Sequence, residues 1–75
     1  MIIDTRTQAE AWLEFWQHAP PRGVLLAALD AATALFQDAD EELANGCGDE
    51  ETMGGHLQAM QVLREAWERL YTEAA

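Results

Sequence analysis

PRGVLLAALDAATALFQDADEELANG, residues 21–46, is the stretch whose periodicity decides the fold. Leu25, Leu29, Ala32, Phe36, Ala39 and Leu43 recur every three or four positions, so at 100° per residue they form one stripe of an amphipathic helix. Pro21 suits the first turn, where its missing N–H costs nothing. Asn45-Gly46 supplies a left-handed C-terminal cap. The spacing predicts a helix over about residues 21–44, roughly 35 Å long at 1.5 Å per residue. Asp30, Asp38 and Glu41 fall on the side away from the stripe, while Asp40 and Glu42 flank it.

Upstream, Thr7-Gln8-Ala9-Glu10 reads as a capping box with Thr7 as N-cap. Ala9, Trp12, Leu13 and Trp16 then follow helical spacing, with Phe15 toward their flank. Pro20 and Pro21 end this helix, which is predicted over about residues 7–18. Downstream, Asp49 or Thr52 caps a third helix over about residues 49–72, and Asp49, Glu50 and Glu51 suit its positive end. Its core stripe is Met53, Leu57, Met60, Leu63, Trp67, Leu70 and Tyr71. Gly54 and Gly55 each cost about 1 kcal/mol in a helix interior, which implies a late start or a close neighbour there.

These elements predict an all-α fold: one domain over residues 1–75, a small three-helix bundle with antiparallel neighbours and short Pro-Pro and Gly-Cys-Gly turns. In such a bundle each helix touches both others. A milder second stripe fits that expectation: Val24, Ala27, Ala28, Ala31 and Leu35 on the second helix, Gly55, Ala59, Val62 and Ala66 on the third. Small residues at this spacing allow close approach, within the chain or across a symmetric homodimer.

Composition narrows the class of partner. The chain has 14 acidic residues against four arginines and no lysine, a net charge of −10. Phosphate binding relies on Lys and Arg, so direct contact with nucleic acid is disfavoured; anionic membranes are disfavoured for the same reason. Basic proteins, including nucleic-acid-binding ones, are the complementary partners. The single cysteine, Cys47, forms no internal disulfide and fits a reducing cytoplasm. The N-terminus turns polar at Asp4 and the apolar run Val24–Leu29 is too short to span a bilayer. Abundant Ala, with Arg present and Lys absent, points to a GC-rich genome, bacterial or phage.

Half of the carboxylates sit between positions 38 and 51: Asp38, Asp40, Glu41, Glu42, Asp49, Glu50 and Glu51, with no basic residue among them. Asp38, Asp40 and Glu42 begin like a calcium loop, but Leu43 stands where a sharp turn needs Gly and Asp49 where the bidentate Glu belongs. Glu14 and His18 are too few ligands for zinc. Cys47, His56 and Asp49 could be composed into a triad, yet an acidic setting raises a thiol pKa, and His56 reads as a boundary histidine. We therefore expect no catalytic residue, no metal and no cofactor. Arg64 projects among Leu57, Met60, Trp67 and Tyr71; it is expected to snorkel or stack on Trp67, or with Phe15 and Val62 to form a secondary interface.

The expected function is a non-enzymatic interaction module whose partner-binding residues are Asp30, Asp38, Asp40, Glu41, Glu42, Asp49, Glu50 and Glu51. In size and charge the chain is similar to small acidic helical inhibitors encoded by phages, of the anti-CRISPR and anti-restriction type. That likeness implies an inhibitor mimicking nucleic acid. The alternative is a structural or assembly subunit, chaperone- or antitoxin-like, or a homodimer, using its apolar helix faces.

Overall fold

The computed structural model describes residues 3–16 and 19–71. They form three helices, α1 (Arg6–Phe15), α2 (Arg22–Ala44) and α3 (Glu50–Tyr71), and no strand. The all-α three-helix fold and the three-helix order follow the periodicity. The end of α1 does not: Trp16 is already extended (φ −85°, ψ 125°), while Gln17 and His18 lie outside the described residues.

The start of α1 also corrects the expectation. Thr5, not Thr7, is the N-cap: its hydroxyl accepts from the Gln8 N–H at 3.2 Å, and Gln8 Oε1 accepts from the Asp4 N–H at 2.9 Å. Gln8 thus does the reaching back expected of Glu10, which instead pairs with Arg6 one turn away at 3.6 Å. At the end of α2 a Schellman motif forms. Gly46 takes φ +79° and its N–H bonds the Leu43 carbonyl, while the Cys47 N–H reaches the Glu42 carbonyl at 2.8 Å. Asp49 starts α3, its carboxylate accepting from the Glu51 N–H and the Thr52 hydroxyl.

α3 is the central helix. Asp4 and Thr5 lie against Gly55 at its start, and Leu13 and Glu14 line a groove with Ala66 and Arg69 further on, so α1 runs parallel to it. α2 runs antiparallel: the Tyr71 hydroxyl donates to the Pro20 carbonyl, and the Arg22 guanidinium lies 5.5 Å from the Trp67 ring centre. Among the described residues α1 and α2 do not pack on each other, contrary to the expectation that every helix touches both others. The two seats on α3 explain this. Gly55 and Ala66 lie on the α1 side, with Ala59 within about 40° of both in phase, whereas Trp67, under Arg22 of α2, lies roughly 100° further round the helix, with Met60 close to it in phase. The result is a slab of 41 × 26 × 15 Å.

The core is built mainly from small side chains. Ala9, Ala32, Ala39, Ala59 and Ala66 are buried with Ile3, Met60, Leu25 and Leu63, and only the last two are large side chains with essentially no exposure. The helices therefore approach closely, and the bulky residues ride up at the rims. Trp12, Trp16, Phe36, Trp67 and Tyr71 are half-buried, and Leu70 and Phe15 are exposed. Trp16 stacks edge-on to both Trp12 and Phe15, and its indole N–H is buried without a partner among the described residues. Of the two milder stripes, the one on α3 becomes the α1 seat. On α2 it stays open: Val24, Ala27 and Ala31 are exposed, Ala28 and Leu35 half-buried.

Candidate functional site: an acidic pole

The hairpin of α2 and α3 returns the chain so that the end of α2 and the start of α3 share one end of the slab. Parallel packing of α1 adds Asp4 to it. Its carbonyl meets His56 Nδ1 at 3.1 Å, which makes that nitrogen the N–H donor. Asp4, Asp38, Asp40, Glu41, Glu42, Asp49, Glu50 and Glu51 thus collect at this pole, eight of the chain's 14 carboxylates. Arg6 is the only described arginine near it, and it pairs with Glu10. None of the eight has a cation within ion-pair distance among the described residues, and all but half-buried Asp4 are exposed.

The local reasons for these charges differ. Glu50 and Glu51 occupy the first turn of α3, where the helix dipole favours them. Asp49 caps that turn. The Thr52 hydroxyl, then the Glu51 N–H, hold its carboxyl below its ordinary value of 3.8. The four carboxylates of α2 lie in its last two turns, at the negative end of its dipole, and its last turn has no basic residue. Asp38 and Glu42 are also one turn apart, a like-charged pair that destabilises a helix. These four are placed against the preference of the helix that carries them. Asp30 stands apart, about 12 Å back along α2 from Asp38 at 1.5 Å per residue, though within about 20° of Glu41 in phase.

The segment 38–44 is helical, so the carboxylates that resemble the opening of a calcium loop diverge around the axis. Among the described residues no three His, Cys, Asp or Glu side chains group closely enough to hold a metal. Cys47 is exposed and its thiol lies 3.7 Å from the Asn45 carbonyl, while His56 turns to Asp4; the composed triad does not assemble. The Glu14–His18 pair lies partly outside the described residues. An open cleft of about 640 Å³ separates the starts of α1 and α3, lined by Asp4, Thr5, Glu51, Thr52 and His56 among others.

The three residues of the expected secondary interface do not meet. Phe15 is 77% exposed at the end of α1, Val62 is half-buried on the α1 side of α3, and Arg64 lies about 160° from Val62 in phase. Arg64 is exposed, and the guanidinium over Trp67 belongs to Arg22 instead. Sequence reading missed Asp4, because the contact that recruits it spans 52 positions. The Thr5–Gln8 spacing was the available signal, since it places Asp4 immediately before α1.

No family model, curated protein or solved structure matches the chain. No helix among the described residues is long and apolar enough to cross a membrane.

Proposed function

We propose that the chain is a small non-enzymatic protein that docks its acidic pole on an arginine- or lysine-rich surface of another protein. The observation that carries this reading is the run of four exposed carboxylates on the last two turns of α2, unpaired and opposed to the helix dipole. The helix dipole disfavours them there, which supports a role in binding over a role in the fold. Glu41 and Asp30 extend the same charge along the outer face, and Asp49, Glu50 and Glu51 continue it across the turn.

The sharper form of the proposal is imitation of nucleic acid. Duplex DNA carries about one charge per 1.7 Å of axis, and a groove built for it recognises closely spaced anions. A phage-encoded inhibitor of a bacterial nuclease or regulator, acting in the cytoplasm, is the role in which such a surface is used. The test immobilises the full chain, captures proteins from the host lysate at low salt, and elutes with duplex DNA. Capture of a basic, nucleic-acid-binding protein that is lost at high salt and on combined Asp38→Lys, Glu41→Lys, Glu50→Lys and Glu51→Lys substitution supports the reading. Capture that survives the four reversals refutes it.

A second reading, an assembly role through apolar faces, is favoured by exposed Phe15, Val24 and Leu70. It is the alternative to the first, and the charge reversals tell them apart, because an assembly role through these faces survives them.

A further inference from the structure

We infer that α1 is a detachable strap, which opens from α3 as one unit while the α2–α3 hairpin stays folded. Topology supplies the first reason. Among the described residues α1 packs on α3 alone, so a single interface holds it. α2 is pinned to α3 at both ends: by the turn in which the Cys47 and Gly48 N–H groups bond the Glu42 carbonyl, and by the Tyr71–Pro20 hydrogen bond with Arg22 over Trp67.

The two attachments also differ in what they bury. Leu25 and Leu63, the large side chains with essentially no exposure, belong to α2 and α3. α1 itself fully buries Ala9, a single methyl group, and Ile3 ahead of it adds a second anchor. Trp12 and Leu13 are half-buried, and Phe15 is exposed. The polar bonds of this segment are nearly all internal: Thr5 caps through Gln8, Gln8 returns to Asp4, and Arg6 pairs with Glu10. Such bonds travel with the helix and do not resist its departure. Among the described residues one hydrogen bond crosses to α3, from His56 Nδ1 to the Asp4 carbonyl.

Away from α3 the helix does not persist. It has 10 residues, and isolated helices below about 12–15 residues are marginal in water. Undocking and unwinding are therefore one step, the behaviour of a cooperative sub-global unit. That step changes two surfaces together. The acidic pole loses Asp4 and keeps the carboxylates carried by residues 38–51. The face of α3 that carries Gly55, Val62 and Ala66 is uncovered.

Native-state hydrogen exchange of the full chain, followed amide by amide by NMR, tests the strap. It needs no partner, so its outcome is independent of the proposed docking function. The amides of residues 9–15 should exchange as one group, at least about 10-fold less protected than those of residues 59–66. Their opening should also depend less on urea, because it exposes less surface. Two variants separate this step from global unfolding. Gly46→Ala strains the cap of α2, where φ is +79°, and leaves the strap untouched. It should lower the protection of α2 and α3 several-fold and leave that of α1 unchanged, because the hairpin is intact in both the docked and the open chain. His56→Ala removes the bond that opening breaks and should lower α1 protection by roughly 2- to 10-fold. Equal protection and equal urea dependence in all three helices overturn the inference, since the chain then opens only as a whole. So does a Gly46→Ala variant that lowers α1 protection by the same factor as α2 and α3. Unprotected α1 amides in the unaltered chain overturn it too, because a strap must be docked most of the time.

Discussion

Neutralising Glu42 should stabilise the fold while weakening partner binding, two effects of opposite sign from one side chain. Glu42 lies in the last turn of α2, and its backbone carbonyl already receives the Cys47 and Gly48 N–H groups. The side chain is exposed and has no cation partner. A negative charge near the negative end of a helix dipole costs about 0.3–1 kcal/mol at low ionic strength. The like-charged Asp38 one turn back adds about 0.2–0.5 kcal/mol. Glu42→Gln removes both costs, so the expected gain is about 0.5–1.5 kcal/mol. At roughly 4–8 °C per kcal/mol for a domain of this size, the melting temperature rises by several degrees. Thermal unfolding followed by circular dichroism measures it, at about 0.01 M salt and again near 1 M, where the Debye length falls from roughly 30 to 3 Å. The gain should shrink toward zero at high salt. If Glu42→Gln lowers the melting temperature at low salt, the carboxylates of α2 serve the fold after all, and the case for a binding role loses its basis.

Four further outcomes follow from the geometry. A Cβ on Gly48 would stand 2.6 Å from the Leu43 backbone nitrogen, so Gly48→Ala must displace the last turn of α2 and should cost about 1–3 kcal/mol in urea titration. Gly54, in α3 with nothing within 4 Å of its would-be Cβ, behaves oppositely: Gly54→Ala should stabilise by about 0.8–1 kcal/mol in the same titration. Leu63→Ala empties a fully buried site and should cost about 2–5 kcal/mol. Against the ~3–5 kcal/mol available to so small a domain, it should leave much of the chain unfolded at room temperature by circular dichroism. Asp49 titrates lower in the folded chain than its ordinary 3.8 because its hydrogen bonds favour the carboxylate. The folded state thus binds this proton less readily than the unfolded state, so the contribution is fully present above 3.8 and is lost as pH falls through the lowered value. Acid unfolding of Asp49→Asn should lack that component, and an unchanged acid profile would show that the cap contributes nothing.

The two glycines of α3 show how far local reading reaches. Their helix penalty signalled either a late start or a close neighbour. The helix starts at Glu50, before both, and only Gly55 has a neighbour, the Asp4 carbonyl 3.4 Å from its would-be Cβ. Local spacing flagged the pair but could not say which glycine was spoken for, because the reason lies on another helix. Arg64 and Arg22 make the same point: phase placed Arg64 near Trp67, yet antiparallel packing delivered Arg22 to that ring from a distant position.

The amino-acid sequence by itself determined three helices, their order and the Gly46 cap, because each depends on residues within a turn or two of one another; it left the cap of α3 to Asp49 or Thr52, and Asp49 takes it. It also determined that half of the carboxylates would gather around one hairpin. Tertiary structure alone decided that α3 lies at the centre, that α1 runs parallel to it and brings Asp4 to the acidic pole, and that Phe15, Val24 and Leu70 stay exposed toward the other end. Those outcomes depend on which faces of α3 accept which neighbour. The alanines at positions 59 and 66 settle that through close approach, and periodicity marks such positions as apolar without naming what will sit on them.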